Sequence, residues 1–195
     1  MKKIGLTILI LSITLFLGTN VFAAGAGIHQ GSSELVFQGS LGYTNASTSG
    51  GGGDLNTKAA DYQVGYGYFI TDAIQLGAFH TGRYQLQSAS GQSDNKFSNF
   101  GLDLSAKYHF YSKGATLVPY LGLQGGVVNV SIDSGGSSSS SNNFSYGGMG
   151  GLKFFFSENF SFNTELNYRR YKNTFSNVDV TNDDFRLFLG FSYYF

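Results

Sequence analysis

The sequence contains no cysteine, no tryptophan and a single proline among its 195 residues. Without cysteine there is no disulfide framework and no thiolate metal site. Charged residues make up only 12%, about half the share usual in soluble domains. The formal net charge is zero, so no basic field invites nucleic acid. No long apolar run occurs past Leu17, so no helix of the remaining chain crosses a bilayer. What is present is 42% hydrophobic residues, 16% aromatics and 28 glycines.

The first segment, MKKIGLTILILSITLFLGTNVFAAGAG, reads as an export signal. Lys2 and Lys3 give a positive start, and Ile4 to Leu17 an apolar stretch. Val21-Phe22-Ala23 supplies the small residues that a signal peptidase reads. Cleavage is expected between Ala23 and Ala24, leaving a signal peptide of 1–23 and one domain of 24–195. A membrane-anchoring helix is disfavoured, because the apolar stretch is short of the ~20 residues a span needs. Loss of Lys2 and Lys3 leaves the mature chain with two more acids than bases.

The remainder alternates with a period of two. In DFRLFLGFSYYF, Phe185, Leu187, Leu189, Phe191, Tyr193 and Phe195 share one face. Arg186, Phe188, Gly190, Ser192 and Tyr194 share the other. Successive strand side chains point to opposite faces, so this is a strand with one apolar side. NFGLDLSAKYHF sets Phe100, Leu102, Leu104 and Tyr108 against Asp103, Ser105, Lys107 and His109. DYQVGYGYFI sets Tyr62, Val64, Tyr66 and Tyr68 against Asp61, Gln63, Gly65 and Gly67. About eight such segments occur. In AIQLGAFHTGRY the adjacent Phe79 and His80 blur the frame. LVPYLGLQGGVVNV fits best with Leu117, Pro119, Leu121 and Leu123 outward.

The connections alternate in length. TNASTSGGGGDLNTK, QSASGQSDN, SIDSGGSSSSSNN and KNTFSNVDVTND are long and polar, whereas ITDA, YSKGAT and SEN are short. Long loops at one end and tight turns at the other mark a transmembrane barrel. The Ser-rich tracts lack apolar anchors and read as mobile surface loops. The expected fold is all-β, an eight-stranded antiparallel up-and-down transmembrane β-barrel. An exported soluble sandwich would normally charge its outer faces. Here the second face is Gly, Ser, Asn and Gln, which suits a narrow lumen. Tyr43, Tyr62, Tyr84, Tyr108, Phe156 and Phe195 are expected in two interfacial belts.

The ending FSYYF and the strand-turn-strand GYGYFITDAIQLGA carry a resemblance. The chain resembles the small outer-membrane β-barrel proteins of Gram-negative bacteria over its whole mature length. The resemblance implies the outer membrane as location, with lipid and lipopolysaccharide as surroundings. It also implies that Leu189, Phe191, Tyr193 and Phe195 form the final-strand signal read by the barrel-assembly machinery, which pairs with it as an added strand.

The inward frames place the acids Glu34, Asp61, Asp103 and Glu165 in the lumen with the bases Arg83, Lys107, Lys153, Arg169 and Arg186. On the lipid side at mid-depth an Arg or Lys would cost about 2–4 kcal/mol. Inside, these groups can pair. Eight strands leave a bore wide enough only for side chains, so a filled interior is expected rather than a channel. Arg170 falls on the outward frame just above Tyr168, where its fork could meet a lipopolysaccharide phosphate.

No catalytic set is evident. A nucleophile needs a neighbouring base and an orienting acid. His109 has Ser112 three residues on but no acidic partner, His29 precedes the first strand, and His80 fits the lipid-facing frame or a bulge. No His/Asp/Glu spacing matches a metal shell, and no cofactor is expected. GGMGG follows no βαβ pattern. The reading is a monomeric barrel with a structural or surface-interaction role through four polar loops. The alternatives are a narrow pore or carrier for ions or small apolar molecules and, less favoured, a lipid-modifying enzyme.

Overall fold

The computed structural model describes residues 27–46, 55–89, 95–110, 112, 114–134, 137–175 and 178–195. The expected cleavage site at Ala23 and Ala24, and the side chain of Tyr43, lie outside the described residues. Eight strands follow one another: β1 (Ser33–Ala46), β2 (Leu55–Phe69), β3 (Ile74–Ala89), β4 (Asn95–His109), β5 (Leu117–Ser134), β6 (Ser137–Ser157), β7 (Phe160–Phe175) and β8 (Val178–Tyr194). Each pairs antiparallel with the next, and β8 returns to β1 to close a barrel.

The alternation in the sequence becomes an inside and an outside. Leu102, Leu104 and Tyr108 of β4 are exposed, while Asp103, Ser105, Lys107 and His109 between them are buried. The ambiguous frame of β3 resolves without a bulge. Its register with β2 and β4 is continuous, so Phe79 is buried in the lumen and His80 is exposed outside. Among the described residues the one register shift lies between Phe155 and Ser157, where β6 meets β7.

The strands run 14 to 21 residues. A tilted strand needs only about 9–11 to cross the hydrocarbon, so the excess extends past it at the loop end. Here the expectation of a loop is corrected for one Ser-rich tract; residues 47–54 and 90–94, in two other such tracts, lie outside the described residues. The tract SIDSGGSSSSSNN is mostly strand, and β5 and β6 stay in register as far as Ser134 opposite Ser137. Likewise β7 and β8 stay paired to Phe175 opposite Val178. Outside the membrane both faces of a hairpin meet water. The backbone ladder alone then suffices, and alternation is no longer required.

The short turns are tighter. Thr71 Oγ1 accepts from the Ile74 amide at 2.9 Å between β2 and β3. Gly114, between β4 and β5, has φ +81°, a left-handed conformation that costs a Cβ-bearing residue. A strap ahead of β1 crosses this end. Gly27 N donates to Glu158 O, Gly31 N to Phe69 O, and Ser33 exchanges two backbone bonds with Phe195. Ile28 is thereby buried against Phe69, Val118, Phe155 and Tyr194.

Candidate functional site

Among the described residues, the lumen is where charge is concentrated away from solvent. At the turn end lies the apolar layer around Ile28. His109 is fully buried behind it, with ring centroids 5.0 Å from Phe69 and 5.4 Å from Tyr120. Neither of its ring nitrogens has a hydrogen-bond partner among the described residues.

The next layer is built on Glu34. Its Oε1 accepts from Lys153 Nζ, from Ser192 Oγ and, at 3.0 Å, from Tyr194 OH. Its Oε2 accepts from Gln75 Nε2. Lys153 also donates to Tyr194 OH at 2.9 Å. Above it, Glu165 Oε2 accepts from Lys107 Nζ at 2.9 Å and from Tyr120 OH at 2.8 Å. Its Oε1 accepts from Gln63 and Asn167, each at 3.3 Å. Both carboxylates thus meet four donors, about the full acceptor capacity of the group. Lys107 lies over the rings of Phe79 at 4.6 Å and Tyr120 at 4.9 Å, which adds cation–π attraction.

Towards the loop end Arg169 pairs with Asp103, which also accepts from Ser145 Oγ at 3.2 Å. Arg169 donates to Thr81 Oγ1 at 3.1 Å. A four-membered cluster follows. Asp61 lies 3.1 Å from Arg83 and 3.4 Å from Arg186, and Asp184 contacts the same two arginines. Arg83 is the most open of them, its side chain 24% exposed. Val128, Val130 and Tyr171 form a second apolar cluster.

Glycines make room for these large groups. A Cβ on Gly65 would stand 2.1 Å from the Phe79 ring, and one on Gly151 would stand 2.7 Å from Tyr120 OH. Gly65 and Gly151 are therefore the complement of the lumen aromatics Phe79 and Tyr120.

The structure places Glu34, Asp61, Arg83, Asp103, Lys107, Lys153, Glu165, Arg169 and Arg186 together in this interior. Asp184 belongs with them; it opens the segment DFRLFLGFSYYF, directly after the tract that reads as loop. Its position two residues before Arg186, on the same strand parity, is the signal that identifies it. Tyr120, Tyr194, Gln63 and Gln75 complete the shells and likewise share parity with the lumen charges. Leu189, Phe191, Tyr193 and Phe195 face outward and are 39–59% exposed.

Arg170 is on the outside and forks onto Asp183, with Nε and Nη2 at 2.7 and 2.9 Å from the two carboxylate oxygens. Tyr168 OH donates to the same carboxylate at 2.5 Å. His80 stacks between Tyr62 and Phe100 on the outer wall. No group of three or more His, Asp or Glu that could hold a metal occurs among the described residues.

Residues 12–195 match the model of the outer membrane protein beta-barrel domain. No curated protein matches the chain. Among solved structures, Neisserial surface protein A (NspA) aligns at 20% identity and a TM-score of 0.57, covering 84% of this chain and 97% of that one. OprG of Pseudomonas aeruginosa aligns at 15% identity and 0.55, covering 88% and 98%. Ail of Yersinia pestis aligns at 16% identity and 0.50, covering 85% and 99%. At these identities the likeness speaks for the fold. With an apolar exterior, a closed eight-stranded wall and a matching family model, the chain belongs to the outer membrane β-barrel domain family and resides in the outer membrane of a Gram-negative cell.

Proposed function

We propose that this protein is a sealed, monomeric barrel with a structural or surface-interaction role, presenting four polar hairpins outside the cell. The observation that carries this reading is the unbroken stack of buried side chains along the lumen. It runs from the Ile28 layer through the Glu34 and Glu165 shells to the Asp61–Arg186 cluster. Breaking one such pair strands a charge away from water, so the network resists opening. Its residues fill and brace the wall instead of relaying ions, and none of them is assigned a catalytic role.

In this reading the outward stripe Leu189, Phe191, Tyr193 and Phe195 is the surface by which the assembly machinery recognises the chain. Arg170 meets lipopolysaccharide phosphate by exchanging Asp183 for it. Liposome swelling tests the sealed lumen. Vesicles carrying refolded protein should swell in arabinose no faster than protein-free vesicles. Swelling that scales with the amount of protein would replace this reading with a narrow pore.

A further inference from the structure

The wall does not close equally everywhere. β1 and β8 are in register from Glu34 opposite Tyr194 to Gly39 opposite Leu189, and no further. Yet β1 continues to Ala46 on β2, and β8 runs from Val178 on β7. Beyond Gly39 the two hairpins therefore diverge and leave a notch in the upper half of the seam. Leu41, two residues past the last pair, is 88% exposed, more than any other large hydrophobic residue among those described. Gly42, on the lumen parity of β1, is exposed as well.

The backbone shows what the notch presents. Ser33 and Phe195 exchange both N–H···O bonds. Bonded and non-bonded pairs alternate along an antiparallel ladder, so odd-numbered residues of β1 and β8 aim their polar groups at each other. Leu41 on one side, with Leu187 and Phe185 on the other, thus point an N–H and a C=O each into the notch. The side chains of these three residues face lipid. The outward apolar stripe of β8 extends from Phe195 to Phe185, about the length that crosses the hydrocarbon. The notch therefore begins at mid-depth and rises through the outer leaflet, where a bare backbone edge is poorly tolerated.

We infer that the open upper seam between β1 and β8 is a lateral docking site for an outer-leaflet amphiphile with an amide-linked acyl chain. The alkyl chain lies along Leu41, Leu187 and Phe185, and the amide bridges the free edges. An edge that offers a donor and an acceptor side by side matches an amide, which carries both. An ester or a phosphate carries acceptors alone and leaves the strand carbonyls bare.

The lack of tryptophan makes this testable with a single introduced fluorophore. Leu41→Trp places it at the notch, and Leu102→Trp places it on the lipid-facing wall of β4 as control. In phosphatidylcholine vesicles, brominated N-methyl dodecanamide should quench the Trp at 41 saturably, at a concentration at least fivefold lower than at 102. Brominated dodecane should quench both alike. Should a variant not fold, solid-state NMR of the unmodified protein gives a second readout. N-methyl dodecanamide should shift the amide signals of Leu41 and Leu187 and leave those of Leu35 and Phe191 in place. Equal quenching of both Trp variants by the amide, or unmoved Leu41 and Leu187 signals, overturns the proposal.

Discussion

The lumen contains two kinds of ion pair, and they differ in how much water they keep. The Glu34–Lys153 and Glu165–Lys107 pairs near the turn end have side chains no more than 2% exposed. Every acceptor site of those carboxylates is filled by a neighbour. At the loop end Arg83 retains a quarter of its exposure, and Asp61 and Asp184 each have two arginines to choose from. Loss of a partner is therefore severe in the first region and tolerable in the second. On the proposed reading the first region seals the barrel, while the second adapts the lumen to the wetter mouth.

Five substitutions sharpen that contrast. The largest effect is expected at the Glu34 shell. Lys153→Met leaves a buried carboxylate uncompensated, which should cost about 3–5 kcal/mol in urea unfolding from lipid vesicles. Glu34→Gln combined with Lys153→Met should recover most of that loss, because no charge is then left alone.

A packing change in the same region comes next. Gly65→Val drives a side chain into the Phe79 ring and should cost about 1–3 kcal/mol, read by the same unfolding midpoint. Arg83→Gln at the mouth should cost no more than about 1 kcal/mol, since Asp61 and Asp184 keep Arg186. A larger loss there would erase the distinction between the two regions.

The smallest effect is expected outside the barrel. Arg170→Ala should leave the unfolding midpoint where it is, because the Arg170–Asp183 pair is solvated. It should nevertheless weaken retention of lipopolysaccharide by the purified protein. Unchanged retention would remove Arg170 from the lipid contact.

The sequence makes some of this legible and hides the rest for physical reasons. Where lipid covers one side and packed side chains the other, alternation is enforced. That is why Asp103, Lys107 and Arg186 could be assigned inward from parity alone. Above the membrane both faces are wet, so the Ser-rich strands of the β5–β6 hairpin look like loop. Asp184 stands at the same boundary, as the first residue of the last alternating segment. The Ile28 layer escapes a strand-based reading because its strap is not a strand. The unzipped seam escapes it too, since pairing between β1 and β8 joins residues about 160 positions apart and leaves no local trace.

The central claim is that the lumen is closed by its own side chains. Planar-bilayer recording of the refolded protein tests it most directly. The stacked Glu34, Glu165 and Asp61 layers predict a baseline without steady current in molar potassium chloride. Large, stable conductance steps would contradict the account.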